Sequence, residues 1–236
     1  AFIRKHRLIG AEQPIRVGFS GGADSTALTL LLNDAFPHVE AVHLNHHLRG
    51  DDAAADAAWC AEFCRQRGIA YTVADLDVTA DRRPGEGIEE AGRRLRLDYW
   101  RQTTDRASVV ALGHHADDCI EDLLLRLARG AGAGGLASMR PTRDLGGVRV
   151  VRPLLDVRRT DVEHFLREHG IEDWRRDASN DDATFRRNAV RHQWLPLMLQ
   201  TVGHDTGLLR SLEALRDDAD CLHDIACRSV HAVESV

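Results

Sequence analysis

The sequence predicts an α/β protein: a parallel five-stranded sheet with helices on both faces, followed by a helical linker or the start of a second domain. Three observations predict it. Short apolar runs alternate with amphipathic runs as far as Pro153. A Gly-Gly corner, Ser20-Gly21-Gly22-Ala23-Asp24-Ser25, stands where the first apolar run meets the first amphipathic one. Beyond Pro153 only helical spacing remains.

The strand-like runs are Ile15–Phe19, Val39–Leu44, Ala70–Leu76, Ser108–Gly113 and Val148–Pro153. Helix-like runs separate them: Ser25–Phe36, Ala53–Arg67, Gly87–Asp105 and Asp117–Arg129. Leu28, Leu31, Leu32 and Ala35 share one face of the first helix, and Ile120, Leu123, Leu124 and Leu127 one face of the fourth. This alternation argues for parallel strands covered on both faces. Asp161–His169 reads as a helix closed by Gly170, and a polar stretch, Asp173–Asp182, follows. Phe185–Leu199 is helical with an interruption at Pro196, and Gly203–Gly207 is a hinge. From Leu208 to Val230, apolar residues at 208, 209, 212, 215, 222 and 225 make an amphipathic helix. Residues 1–200 are thus expected to form one domain, and 201–236 a linker or the start of another.

With 236 residues, 43% hydrophobic and 29% charged, the chain is long enough for a sizeable soluble core. No apolar run approaches a membrane span, and the start lacks a signal-peptide pattern. The net charge of −6 gives no global sign of nucleic-acid binding. Arginine is locally dense, however, at Arg175, Arg176, Arg186, Arg187 and Arg191, and such a patch either binds phosphates or is a solvated surface. Five cysteines (Cys60, Cys64, Cys119, Cys221 and Cys227) make an odd number with no Cys-x-x-Cys pair. That argues against a zinc ribbon, an iron–sulfur cluster or a disulfide framework, and for thiols in a reducing cytoplasm.

The corner carries the chemistry. Without a Cβ, Gly21 and Gly22 let backbone N–H groups approach an anion, and the helix that follows adds the positive end of its dipole. The hydroxyls of Ser20 and Ser25 can donate to the same oxygens. The plain alternative is a tight turn capped by Ser and Asp. No lysine follows the glycines, which excludes the kinase and GTPase loop; Lys5 is the only lysine in the chain. The Ser-Gly-Gly-x-Asp-Ser form instead resembles the PP-loop of ATP pyrophosphatases, which cleave ATP between the α and β phosphates.

Ligands of parallel sheets bind beyond the carboxyl ends of the strands. Ser20 follows the first strand, Asn45 and His46 the second, and Gly113, His114 and His115 the fourth. In Ala116-Asp117-Asp118-Cys119-Ile120-Glu121, Asp118 points away from the leucine face and Glu121 lies about 60° beside it. Together they can hold Mg²⁺, which accepts one or two carboxylates plus phosphate oxygens and water. Equally, they can be first-turn carboxylates favoured by the helix dipole.

Read in order, the motifs resemble the tRNA(Ile)-lysidine synthase family of PP-loop enzymes. They are Ser20–Ser25; His43-Leu44-Asn45-His46-His47-Leu48-Arg49; Gly87-Ile88-Glu89 with Arg93 and Arg96; and His114-His115-Ala116-Asp117-Asp118 with Glu121. Leu124–Gly130, Arg152-Pro153-Leu154-Leu155 and Asp177-Ala178-Ser179-Asn180 with Phe185, Arg187, Asn188 and Arg191 complete them. The match spans roughly residues 15–200, and departs from the family pattern at Leu97 and Asp122.

The resemblance implies ATP-dependent adenylation of C2 of the wobble cytidine in tRNA(Ile) with a CAU anticodon. Attack by the ε-amine of free L-lysine would then release AMP. It implies ATP on Ser20, Gly21, Gly22, Ala23, Asp24, Ser25, His43, Asn45, His46, Gly113, His114 and His115, and Mg²⁺ on Asp118, Glu121 and Asp24. Asp24, Asp118, Glu121, Arg93 and Arg96 would serve catalysis, the two arginines on phosphate or the lysine carboxylate, with Glu89 orienting Arg93. Arg126 and Arg129 would meet tRNA or ATP phosphates or be solvated surface, Arg187, Asn188 and Arg191 would touch the tRNA backbone or brace the site wall, and Gly130–Gly135 would form a mobile loop. Members of this type often form homodimers. The rival readings are another PP-loop tRNA-modifying enzyme such as a thiolase, an amide-forming ligase, or a non-catalytic tRNA- or nucleotide-binding module. The cysteine positions disfavour the thiolase, and no glutaminase segment supports the ligase.

Overall fold

The structure, a computed structural model, describes residues 1–47, 50–137, 139–175 and 186–234. The chain forms two compact units, one of residues 1–115 and 141–177, the other of 116–140 and 178–236.

The first unit holds the sheet. After a short helix α1 (Phe2–Lys5) come β1 (Ile15–Gly18), α2 (Ala23–Ala35), β2 (Val39–Asn45), α3 (Asp51–Arg67), β3 (Ala70–Asp75), α4 (Ile88–Thr103) and β4 (Val109–Ala111). Later segments add β5 (Thr142–Asp144), β6 (Arg149–Val151) and α7 (Arg159–Glu168). The order across the sheet is β3-β2-β1-β4-β6-β5, and every pairing is parallel except β5 with β6. The sheet therefore has six strands where five were expected. The extra strand, Thr142-Arg143-Asp144, is an exposed edge held through its backbone, so no apolar run announces it.

Side-chain alternation builds a core on each face. Val17, Ala41, Val109 and Val151 point to one face, where Leu28 and Leu32 of α2, Phe63 of α3 and Val162 and Leu166 of α7 cover them. Val42, Val110 and Val150 point to the other, against Trp100 of α4. β1 and β4 run parallel, and between them the order in which successive strands are added switches from one side of the sheet to the other. In an open parallel sheet this switch point is where two loops part and leave a crevice for a ligand. The residues after β1 and β4 are Ser20 and Gly113–His115.

The second unit is helical: α5 (Ala116–Ala128), α6 (Ala133–Leu136), α8 (Arg186–Ala189), a π-helical turn (Val190–Trp194), α9 (Leu195–Val202) and α10 (Thr206–Glu234). The expected interruption at Pro196 takes the form of the π turn just before it. Proline has no N–H to give the carbonyl four residues back, so the preceding turn widens. Within the Gly130–Gly135 run α6 forms. The far half of α10 leaves Leu222 and Ile225 more than half exposed. Among the described residues no helix is long and apolar enough to cross a membrane. All five cysteines are free thiols.

Leu28 is wholly buried at the centre of the first core. Leu28→Ala should lower stability by about 2–5 kcal/mol, read as a drop in the urea midpoint at unchanged m-value.

Candidate active site

The Ser20–Ser25 corner sits at the carboxyl end of β1, as expected. Gly21 has φ +82°, a conformation open to glycine but strained for other residues. Gly22 precedes α2 as its N-cap, and no side chain caps that helix end. Its first-turn N–H groups are the donors that a phosphate takes up elsewhere. Side chains of the corner bind the corner itself. The Ser20 N–H donates to Ser25 Oγ at 3.2 Å, Ser25 Oγ donates to the Gly22 carbonyl at 3.0 Å, and Thr26 Oγ1 donates to the Gly21 carbonyl at 3.3 Å. The hydroxyls of Ser20 and Ser25 lie 3.1 Å apart. Ser25 is buried and shapes the loop, whereas Ser20 is exposed at its mouth.

Gly113, from the end of β4, packs directly on this corner. A Cβ there would come within 3.0 Å of the Asp24 carbonyl carbon and oxygen and 3.1 Å of the Ser25 nitrogen. Only glycine lets β4 and the first turn of α2 approach so closely. Two residues on, buried His115 places Nε2 3.6 Å from Asp24 Oδ1, and its backbone bridges to Leu154. His114 is half-buried beside it.

The end of β2 supplies three more of the expected residues. His43 is buried, and its Nδ1 donates to the Phe19 carbonyl at 2.9 Å, since a carbonyl only accepts. Asn45 donates to Asp75 Oδ1 at 3.2 Å and accepts from the His47 N–H at 3.1 Å. His46 has a buried Nδ1 with no hydrogen-bond partner. Its pKa falls to about 4, through burial first, then the Arg96 charge, then His43. Arg96 in turn is pulled below the ordinary arginine value by desolvation and by Arg93. Arg93, Arg96 and His46 thus share one electropositive neighbourhood short of negative charge. No hydrogen bond or ion pair among the described residues joins Glu89 to Arg93, so the expected orienting pair does not form.

In the second unit the structure changes the reading of α5. Asp118 and Glu121 are both buried, at 9% and 1% exposure, where the helical wheel alone turned Asp118 away from the packed face. Glu121 is held by a fork: Arg191 Nε donates to Oε1 at 2.6 Å and Nη2 to Oε2 at 3.1 Å. Arg191 comes from the π turn and is half-buried, and Asn188, one turn earlier, is buried. Asn188 and the Arg191 fork thus pack within this unit. Arg126 pairs with Asp122 at 2.7 Å, and Arg129 is exposed. The Arg187 side chain and residues 176–185, with Asp177–Asn180, lie outside the described residues. No group of three or more His, Cys, Asp or Glu able to hold a metal occurs among the described residues.

The strand-order switch between β1 and β4 and the uncapped Gly-Gly corner beside it have the form of a phosphate-binding α/β domain. The sequence profile of the PP-loop domain matches residues 3–198, and the chain belongs to that family. Among curated relatives, tRNA(Ile)-lysidine synthase of Pseudomonas fluorescens is 39% identical over 219 residues, 89% of this chain and 48% of that protein. The enzyme of the same name from Porphyromonas gingivalis is 38% identical over 218 residues, 90% of this chain and 47% of its own. The chain spans about half the length of these relatives. Of solved structures, the U34-tRNA thiolase NcsA from Methanococcus maripaludis superposes with a TM-score of 0.68 at 18% identity. The alignment covers 94% of this chain and 78% of the thiolase. That likeness is one of fold.

Two outcomes follow. Because His46 takes its proton less readily folded than unfolded, it removes stability as pH falls from 6.5 toward 4. NMR titration of its ring should give a pKa near 4 without ligand and a higher one with pyrophosphate bound beside Arg96. Arg191→Ala, which strips the fork from a buried carboxylate, should lower stability by about 3 kcal/mol in urea unfolding, and Glu121→Gln by less.

Proposed function

We propose that the chain is the catalytic part of a tRNA(Ile)-lysidine synthase, joining lysine to C2 of the wobble cytidine of a CAU-anticodon tRNA(Ile) through an adenylated intermediate. The observation that carries the reading is the uncapped Ser20–Ser25 corner at the switch point, seated against Gly113. The relatives of that name, alike over most of this chain, supply the acceptor.

In this reading the first-turn N–H groups of α2, with Ser20, hold the ATP phosphates. Attack by the cytosine C2 oxygen on the α-phosphorus builds negative charge on the departing pyrophosphate. The protein's work is positioning and charge stabilisation rather than covalent catalysis. Arg93 and Arg96 carry fixed positive charge and, with neutral His46, accept an anion, either a phosphate or the carboxylate of lysine. Lysine must reach C2 as the free amine, and expulsion of AMP returns the phosphoryl charge to solution.

Mg²⁺ would neutralise phosphate charge; Asp24 of the loop and, on α5, Asp118 are each candidate carboxylates for such an ion. Glu121, already matched by Arg191, serves to fix its wall. Arg126 of α5, after release from Asp122, and Arg129, just past the end of that helix, are the basic side chains left for RNA backbone. A cytoplasmic location and a homodimer accompany the reading as further proposals.

The deciding assay gives the full-length protein ATP, Mg²⁺, labelled lysine and unmodified tRNA(Ile). Lysine should enter the tRNA with one AMP released per turnover, and absence of incorporation refutes the reading. Transfer of AMP to the tRNA without lysine uptake would favour a different nucleophile. Asp118→Ala should slow adenylation about 100-fold or more with tRNA binding retained, as removal of a charge-stabilising group does.

A further inference from the structure

The phosphate-binding corner is gripped by a stretch that lies far away in sequence. Arg175 touches it three ways. Its N–H donates to the Gly21 carbonyl at 2.9 Å. Its Cγ lies 3.0 Å from where a Cβ on Gly21 would stand, and its carbonyl oxygen 3.8 Å from one on Gly22. Its guanidinium then runs to α3, where Nε donates to Oδ1 of buried Asp56.

Helix α3 forms the other jaw. Asp56, Trp59 and Cys60 stand at i, i+3 and i+4, on one face of the helix. Cys60 Sγ and a Trp59 ring carbon lie 3.0 Å and 3.3 Å from the same Gly21 Cβ position. Trp59 Nε1 also donates to Asp173 Oδ2 at 3.3 Å, so the 171–175 stretch is tied to α3 twice. The ring of Phe19, just before the corner, packs on Trp59 and Phe63. Burial pushes the Cys60 thiol pKa up, so it packs as a neutral group.

A loop that binds anions through its backbone works only while its peptide planes are held. The Gly21 peptide, at positive φ, has its carbonyl fixed by Arg175 and its back filled by Cys60 and Trp59. We propose that Asp56 and Arg175 are positioning residues whose ion pair clamps the Gly21 peptide in its phosphate-binding geometry. The proposal rests on the reading of Ser20–Ser25 as the ATP phosphate site, and neither residue touches substrate in it.

The test uses full-length protein and titration calorimetry with Mg²⁺-ATP and with pyrophosphate, alongside urea unfolding of every variant. Asp56→Ala and Arg175→Ala should each weaken both ligands about tenfold or more, and the double variant no further than the weaker single. Asp56→Asn, which keeps an acceptor for Nε, should recover most of the affinity. If Asp56→Ala does not fold, Arg175→Ala and Asp56→Asn still decide. Unchanged affinity in Arg175→Ala, single effects that add in the double variant, or a loss that Asp56→Asn shares in full would overturn the clamp. Wild-type protein that binds ATP but transfers no lysine, with the variant pattern as expected, upholds the clamp and removes only the acceptor assignment. Wild-type protein that binds neither ligand overturns both.

Discussion

On the reading of Ser20–Ser25 as a phosphate site, the first-turn N–H groups of α2 must stay unspent, and that single constraint orders the loop around them. The α2 N-terminus lacks a side-chain cap, the hydroxyls of Ser25 and Thr26 are spent on carbonyls of the loop, and Gly21 takes a conformation that other residues reach only with strain. Donors exposed in this way would collapse onto nearby acceptors unless the chain around them were rigid. Rigidity comes from the sheet through Gly113, from α3 through Trp59 and Cys60, and from the stretch ending at Arg175. The strand order serves the same end, because it sets β4 beside β1 and so brings Gly113 against the corner.

Charge in the two units follows different rules. Around His46 the protein gathers Arg96 and, beside it, Arg93, a positive neighbourhood that suits an incoming anion. On α5 the buried Glu121 is matched by a bidentate fork from Arg191. The planar guanidinium reaches both carboxylate oxygens, a geometry a lysine would not reproduce. The π turn that carries Arg191 sits just before Pro196, so a helix defect and a buried ion pair share a cause.

The sheet and the corner were legible because both depend on local pattern. Apolar runs mark β1, β2, β4 and β6, and glycines with hydroxyls mark the turn. Strand β5 was not legible, since Thr142-Arg143-Asp144 pairs by backbone alone and leaves no hydrophobic trace. Glu121 is buried and forked by Arg191, which a helical wheel could not show because it treats one side of α5 as solvent. Burial by α8 and the π turn comes from residues about 70 positions away. Arg175 was legible only as one of several arginines. Its partner Asp56 is 119 positions distant, and neither periodicity nor spacing could join them.

The near absence of lysine and the low basicity of His46 bear jointly on how the site meets its ligand. Arginine keeps its proton throughout the range in which proteins work, and His46 stays uncharged until the medium is strongly acidic. The contribution of Arg96 and His46 to the field therefore holds across neutral pH, so that any pH dependence of anion binding arises elsewhere, in the ligand or in other groups of the site.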